Sequence, residues 1–139
     1  MEKKIFIIED DPNILYGLQD RFSSEGYEIE TSNGEEELDE LTKSIRKFQP
    51  DYMILDLILP KLDGFDVIKR MKEEELVADS NVFIFTDLSD EDSRQRSQEL
   101  GVDYYFVKNE FDINEFSEKV KTVIEDRDVE GDDDDLVME

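Results

Sequence analysis

The sequence predicts an α/β fold, a doubly wound parallel sheet with helices on both faces. Two observations carry this. Five short apolar runs alternate strictly with five helical segments, and strict alternation implies right-handed βαβ crossovers and a parallel sheet. Four of those runs also stop on polar residues, at Glu9-Asp10-Asp11, Asp56, Thr86 and Lys108. In such a sheet the carboxyl ends of the strands form the rim where ligands bind.

Lys4 to Ile8 is an apolar run of strand length. Asp11-Pro12 then starts a helix, with Asp at the N-cap and Pro at the first helical position. Ile14, Leu15, Leu18 and Phe22 follow at helical spacing, and Gly26 ends the segment. Tyr27 to Thr31 alternates like a strand, and Asn33-Gly34 marks a turn. Leu38, Leu41, Ile45 and Phe48 recur at three- and four-residue steps, the pattern of an amphipathic helix. Pro50-Asp51 breaks it.

Tyr52 to Leu55 is apolar throughout, as a central strand covered on both faces should be. Phe65, Ile68 and Met71 mark a third helix after Gly64, and Val82 to Phe85 is the fourth strand. Residues 89–100 look helical but carry almost no apolar stripe, since only Leu88 and Leu100 flank a polar stretch that Gly101 stops. Tyr104 to Val107 is the fifth strand. Asp112-Ile113-Asn114-Glu115 resembles a capping box with Asp in place of Ser or Thr, and Ile113, Phe116, Val120 and Val123 give the last helix its buried face. Phe22, Phe65, Met71 and Phe116 are read as core.

A chain of 139 residues fits one domain. Its hydrophobic fraction of 37% is low, but the apolar residues are clustered, which argues against global disorder. There is no cysteine and no histidine. Disulfides, thiol chemistry, a histidine nucleophile or base and the usual zinc sites are therefore excluded. No apolar stretch reaches the ~18 residues that span a bilayer, and no signal peptide precedes the first strand, so a cytoplasmic protein is expected. The net charge of −24 repels nucleic acid and anionic membranes at long range. Residues 125–139 hold nine acids against Arg127 alone. Blocks of like charge repel themselves, so residues 1–127 are read as the folded domain and 128–139 as an acidic, unfolded tail.

The segments Ile7-Ile8-Glu9-Asp10-Asp11-Pro12, Leu55-Asp56-Leu57-Ile58-Leu59-Pro60-Lys61-Leu62-Asp63-Gly64, Phe85-Thr86 and Phe106-Val107-Lys108 occur in this order, each at a predicted strand end. Together they resemble the receiver domain of response regulators, the phosphorylated switches of two-component systems. The resemblance covers about residues 3–126. It implies a flavodoxin-like (βα)5 sheet of strand order 2-1-3-4-5.

Each role below is what the resemblance implies. Asp56 is the phosphoacceptor. Glu9 and Asp10 bind Mg²⁺ with Asp56, and the backbone carbonyl of Ile58 completes the shell. Mg²⁺ is hard, prefers oxygen and keeps several waters, so this donor set suits it; helix capping is the alternative for the two acids, and Asp11 absorbs most of it. Lys108 pairs with phosphate oxygens, or else is a solvated surface lysine. Thr86 hydrogen-bonds the phosphate, and Tyr105 is the switch aromatic, with plain packing as its alternative. Phosphorylation then reshapes the surface of the fourth helix, fifth strand and fifth helix.

Two positions depart from the family pattern. Asn109 follows Lys108 where proline is usual, and a cis bond to a non-proline costs about 3–4 kcal/mol, so this loop is trans or strained. Asp87 follows Thr86 where a small residue is usual. Pointing inward it adds charge to an anionic site; facing solvent it does little.

The expected function is a single-domain response regulator, not an enzyme in the ordinary sense. Lacking histidine, it takes its phosphoryl group from a sensor histidine kinase or a histidine phosphotransfer protein and signals to a downstream protein. A homodimer is left open. A receiver-like binding module that is never phosphorylated is the competing reading. A phosphatase with an aspartyl intermediate fits less well, because Leu57-Ile58 follow Asp56 where an Asp-x-Asp motif would be needed.

Overall fold

The computed structural model of the chain describes residues 3–137, with side chains as far as Asp128. The elements are β1 (Lys4–Ile8), α1 (Pro12–Ser24), β2 (Glu28–Ser32), α2 (Leu38–Phe48), β3 (Tyr52–Leu55), α3 (Gly64–Glu73), β4 (Val82–Thr86), α4 (Glu91–Glu99), β5 (Tyr104–Val107) and α5 (Ile113–Val137). A short 3-10 turn, Asp79–Asn81, leads into β4. The five strands form one sheet in the order β2-β1-β3-β4-β5, and every pairing is parallel.

Strand periodicity divides the core into two layers. Phe6, Ile8, Met53, Leu55 and Ile84 point to one face and pack on Leu41 and Ile45 of α2 and Ile68 and Met71 of α3. Ile5, Ile7, Ile54, Phe83 and Phe85 point to the other and meet Leu18 and Phe22 of α1 and Phe116, Val120 and Ile124 of α5. Phe85 and Phe116 stack with ring centroids 4.1 Å apart. All four residues of β3 are buried, as its continuous apolar run predicts.

The helix starts follow their caps. The Asp11 carboxylate accepts from the N–H groups of Asn13 and Ile14, with Pro12 opening the helix. Asp112 and Glu115 exchange reciprocal side-chain to backbone bonds, the two-way pattern of a capping box. Asp90 caps α4 by accepting from the Ser93 N–H and hydroxyl.

Four elements differ in extent from the sequence reading. β2 lies one residue later, β4 runs one residue further to Thr86, α4 is shorter at both ends, and the backbone stays helical from Asp128 to Val137, where the charge block predicts an unfolded tail. The last difference has a local cause. α5 is already nucleated and anchored by Phe116, Val120 and Ile124. Arg127 adds a pin, donating to the Asn81 side chain, the Ser80 carbonyl and the Tyr104 hydroxyl. Adding residues to an existing helix costs far less than starting one. Residues 138–139 lie outside the described residues.

Gly64 fixes how α3 leaves the loop after β3. Its N–H donates to the Leu57 carbonyl at 3.1 Å, and a Cβ there would stand 2.5 Å from the Leu57 Cα. Gly64→Ala must therefore push α3 away from the residue following Asp56. A loss of about 1–3 kcal/mol is expected, as for other overpacked sites. Urea unfolding checks this, and an unchanged midpoint would contradict the close approach.

Candidate functional site

The sheet register assembles the site. β1 and β3 are neighbours with Ile8 opposite Leu55, so the residues that follow, Glu9-Asp10 and Asp56, leave the sheet side by side. The ladder holds them there, since the Asp56 N–H donates to the Ile8 carbonyl and the Glu9 N–H to the Ser32 carbonyl, each at 3.0 Å. Across β4 and β5, Thr86 stands opposite Val107. The Lys108 N–H then donates to the Thr86 carbonyl at 2.8 Å, which brings the lysine to the same rim.

The Lys108 ammonium joins two carboxylates. It lies 2.7 Å from Asp56 Oδ2 and 2.9 Å from Glu9 Oε1. The remaining carboxylate oxygens are held by backbone: Asp56 Oδ1 accepts from the Ile58 N–H and Glu9 Oε2 from the Asp11 N–H, both at 3.1 Å. Glu9 and Asp56 are buried, at 2% and 4% exposure, while Asp10 is exposed. One carboxylate oxygen from each of Glu9, Asp10 and Asp56 lies within 4.8 Å of the others.

Burial and charge act in opposition here. Burial pushes the Glu9 carboxyl up to about 7, against the Lys108 hydrogen bond, and the Asp56 charge pushes the same way as burial. Burial also works against the Lys108 charge, but its bonds to Asp56 and Glu9 prevail and hold it above the ordinary lysine value. Three carboxylates facing one ammonium leave surplus negative charge, and all their free donors are hard oxygens. That is the chemistry a Mg²⁺ ion takes.

Of the residues singled out from sequence, Glu9, Asp10, Asp56 and Lys108 come together. Ile58 joins them through its backbone, with its side chain 48% exposed. Thr86 is fully buried and reaches the site through its carbonyl bond to Lys108; its hydroxyl accepts from the Leu88 N–H at 3.4 Å. Tyr105 stands outside the cluster, half-buried, its hydroxyl donating to the Leu88 carbonyl at 2.8 Å. Burial, followed by the Asp90 charge, raises its pKa above the ordinary phenol value.

Both departures from the family pattern are accommodated. No peptide is cis among the described residues. The loop after β5 closes by turn bonds from the Glu110 and Phe111 N–H groups to the Val107 carbonyl, and Lys108 still faces Asp56. Asp87 is exposed. Leu88 is the participant that sequence reasoning missed. It bonds both Thr86 and Tyr105 through main-chain atoms, which no side-chain pattern reveals.

The family profile described as "Response regulator receiver domain" matches residues 5–121. The chain is 39% identical over 124 residues to sporulation initiation phosphotransferase F of Bacillus subtilis, covering 87% of this chain and 93% of that protein. It is 34% identical to the alkaline phosphatase synthesis transcriptional regulatory protein PhoP of the same organism, covering 89% of this chain but 49% of the relative. The solved receiver domain protein from Methanospirillum hungatei superposes with a TM-score of 0.77 at 23% identity, covering 94% of this chain and 99% of that one.

The Glu9 carboxyl generates a pH prediction for protein freed of divalent ions. The folded state keeps the Glu9 proton up to about pH 7, whereas the unfolded chain loses it near the ordinary value of 4.5. The folded state thus binds the extra proton between these values, so the Glu9 contribution to stability falls as pH rises across that window and then levels. The difference in Tm between the natural protein and Glu9→Gln should show this slope. A difference that is flat with pH would contradict it.

Proposed function

We propose, from the premise that the chain belongs to the receiver domain family of two-component response regulators, that Asp56 accepts a phosphoryl group from a phosphohistidine protein. The observation that carries this is a buried Asp56 carboxylate at a strand end, touched by one ammonium and flanked by two further carboxylates. An Asp56 oxygen attacks phosphorus, the P–N bond to the donor imidazole breaks, and a mixed anhydride forms. No histidine is available in this chain to act as donor, so the phosphoryl group comes from a sensor kinase or a phosphotransfer protein.

Each residue has a task in this step. The Ile58 N–H fixes one Asp56 oxygen and Lys108 the other, which orients a weak nucleophile. Lys108 then follows the charge onto the incoming phosphoryl oxygens. Glu9, Asp10 and Asp56, with the Ile58 backbone carbonyl, would hold Mg²⁺. That ion, when bound, neutralises charge on the transferring group. The transferred group brings roughly two negative charges and new acceptor oxygens. Thr86 turns its hydroxyl to them, giving up the Leu88 N–H, and Tyr105 moves into the space released. Leu88 touches both side chains, which supports a coupled movement of the α4–β5–α5 face.

We read residues 1–127 as a receiver unit that is itself the working switch, with 128–139 an acidic extension. The 93% coverage of the sporulation relative supports this. With respect to PhoP, the chain spans about half of the relative's length.

Incubation with acetyl phosphate and Mg²⁺ should add one phosphoryl group by intact mass, and Asp56→Asn should abolish it. No added mass with any donor would overturn the assignment and favour a binding module that is never phosphorylated. Mg²⁺ should also raise Tm by mass action, because it relieves the repulsion among the three carboxylates. Asp10→Asn should diminish that rise, and an identical rise in the variant would remove Asp10 from the metal site.

A further inference from the structure

α4 is attached to the body unlike the other helices. None of its nine residues is apolar, and the two it buries are Ser93 and Ser97. Both hydroxyls are satisfied within the helix and its cap, Ser97 donating to the Ser93 carbonyl and Ser93 to the Asp90 carboxylate. The serine face therefore offers the sheet neither an apolar stripe nor a free donor. What reaches outward are two arginines placed either side of that face at helical spacing. The Arg94 guanidinium lies 4.8 Å from the Tyr105 ring centroid, and the Arg96 guanidinium 3.9 Å from that of Phe65.

The two rings differ in one respect. Phe65 is 4% exposed and belongs to the core under α3, so it cannot move without disturbing that core. Tyr105 is half-buried, packing on the edge of the same core with its hydroxyl bonded to the Leu88 carbonyl. One wing of α4 thus rests on a ring locked in the core and the other on a ring at the core's partly exposed edge.

We propose that Arg94 is the latch of α4: its contact with Tyr105 holds the β5 side of the helix in the unphosphorylated state and is broken when Tyr105 turns inward, while Arg96 on Phe65 remains as the hinge. Arg94 is a positioning residue, touching neither Asp56 nor a phosphoryl group. The release step rests on the function proposed above; the resting contact does not.

Hydrogen exchange of the amides in residues 88–100 tests this in the full chain, with and without Mg²⁺ and beryllofluoride. Without the phosphoryl mimic, Arg94→Gln should speed α4 exchange by about 3- to 30-fold, the range one such contact supports. Adding the mimic should then speed it little further. Arg94→Lys keeps the charge but loses the planar group, and should fall between. Arg96→Gln should speed exchange in both states by the same factor, preserving the response to the mimic. Unchanged exchange in unliganded Arg94→Gln, or a full response to the mimic in that variant, would overturn the latch. Absence of any response in the natural protein would count against the signalling function, and with it the release step, while the unliganded comparison still decides whether Arg94 holds the helix.

Discussion

A single ammonium shared between the buried carboxylates of Glu9 and Asp56 is the constraint around which the rest of the molecule is arranged. Unpaired charges are not tolerated in a dry interior, and removing one member of a buried pair costs several kcal/mol. Glu9, Asp56 and Lys108 come from three different strand ends, so the sheet must hold β1, β3 and β5 in one register for the trio to meet. The rim remains over-supplied with negative charge even so.

The parallel sheet supplies that register with little help from loops. Backbone bonds continue past the last strand residues, from Glu9 to Ser32, Asp56 to Ile8 and Lys108 to Thr86. The clustered side chains of Glu9, Asp56 and Lys108 therefore extend from the ladder, placed by the same hydrogen bonds that make the strands. Gly64 completes the arrangement by letting α3 approach the Leu57 backbone more closely than a side chain would permit.

Much of this was legible in the sequence because it is written in side chains. Alternating apolar runs point to the strands, Asp11-Pro12 and Asp112 to the helix starts, and the polar residues closing four of the runs to the side chains gathered at the rim. What was not legible is written elsewhere. Leu88 acts through its main chain. The orientation of Asp87 depends on a loop whose path no periodicity specifies. α4 has no apolar stripe, and arginines resting on distant rings leave no periodic trace. The charge of the C-terminal segment pointed to an unfolded chain, and the anchorage that extends α5 lies in Arg127 contacts across 46 residues of sequence.

Those Arg127 contacts also bear on how the flanking helices are fastened to the sheet. The guanidinium sits 5.9 Å from the Tyr52 ring centroid and 5.4 Å from that of Tyr104, while the stacked pair Phe85 and Phe116 grips the same helix near its other end. α5 is thus gripped by the sheet at two places, whereas α4, its neighbour across β5, rests on the rings of Tyr105 and Phe65 through two arginines.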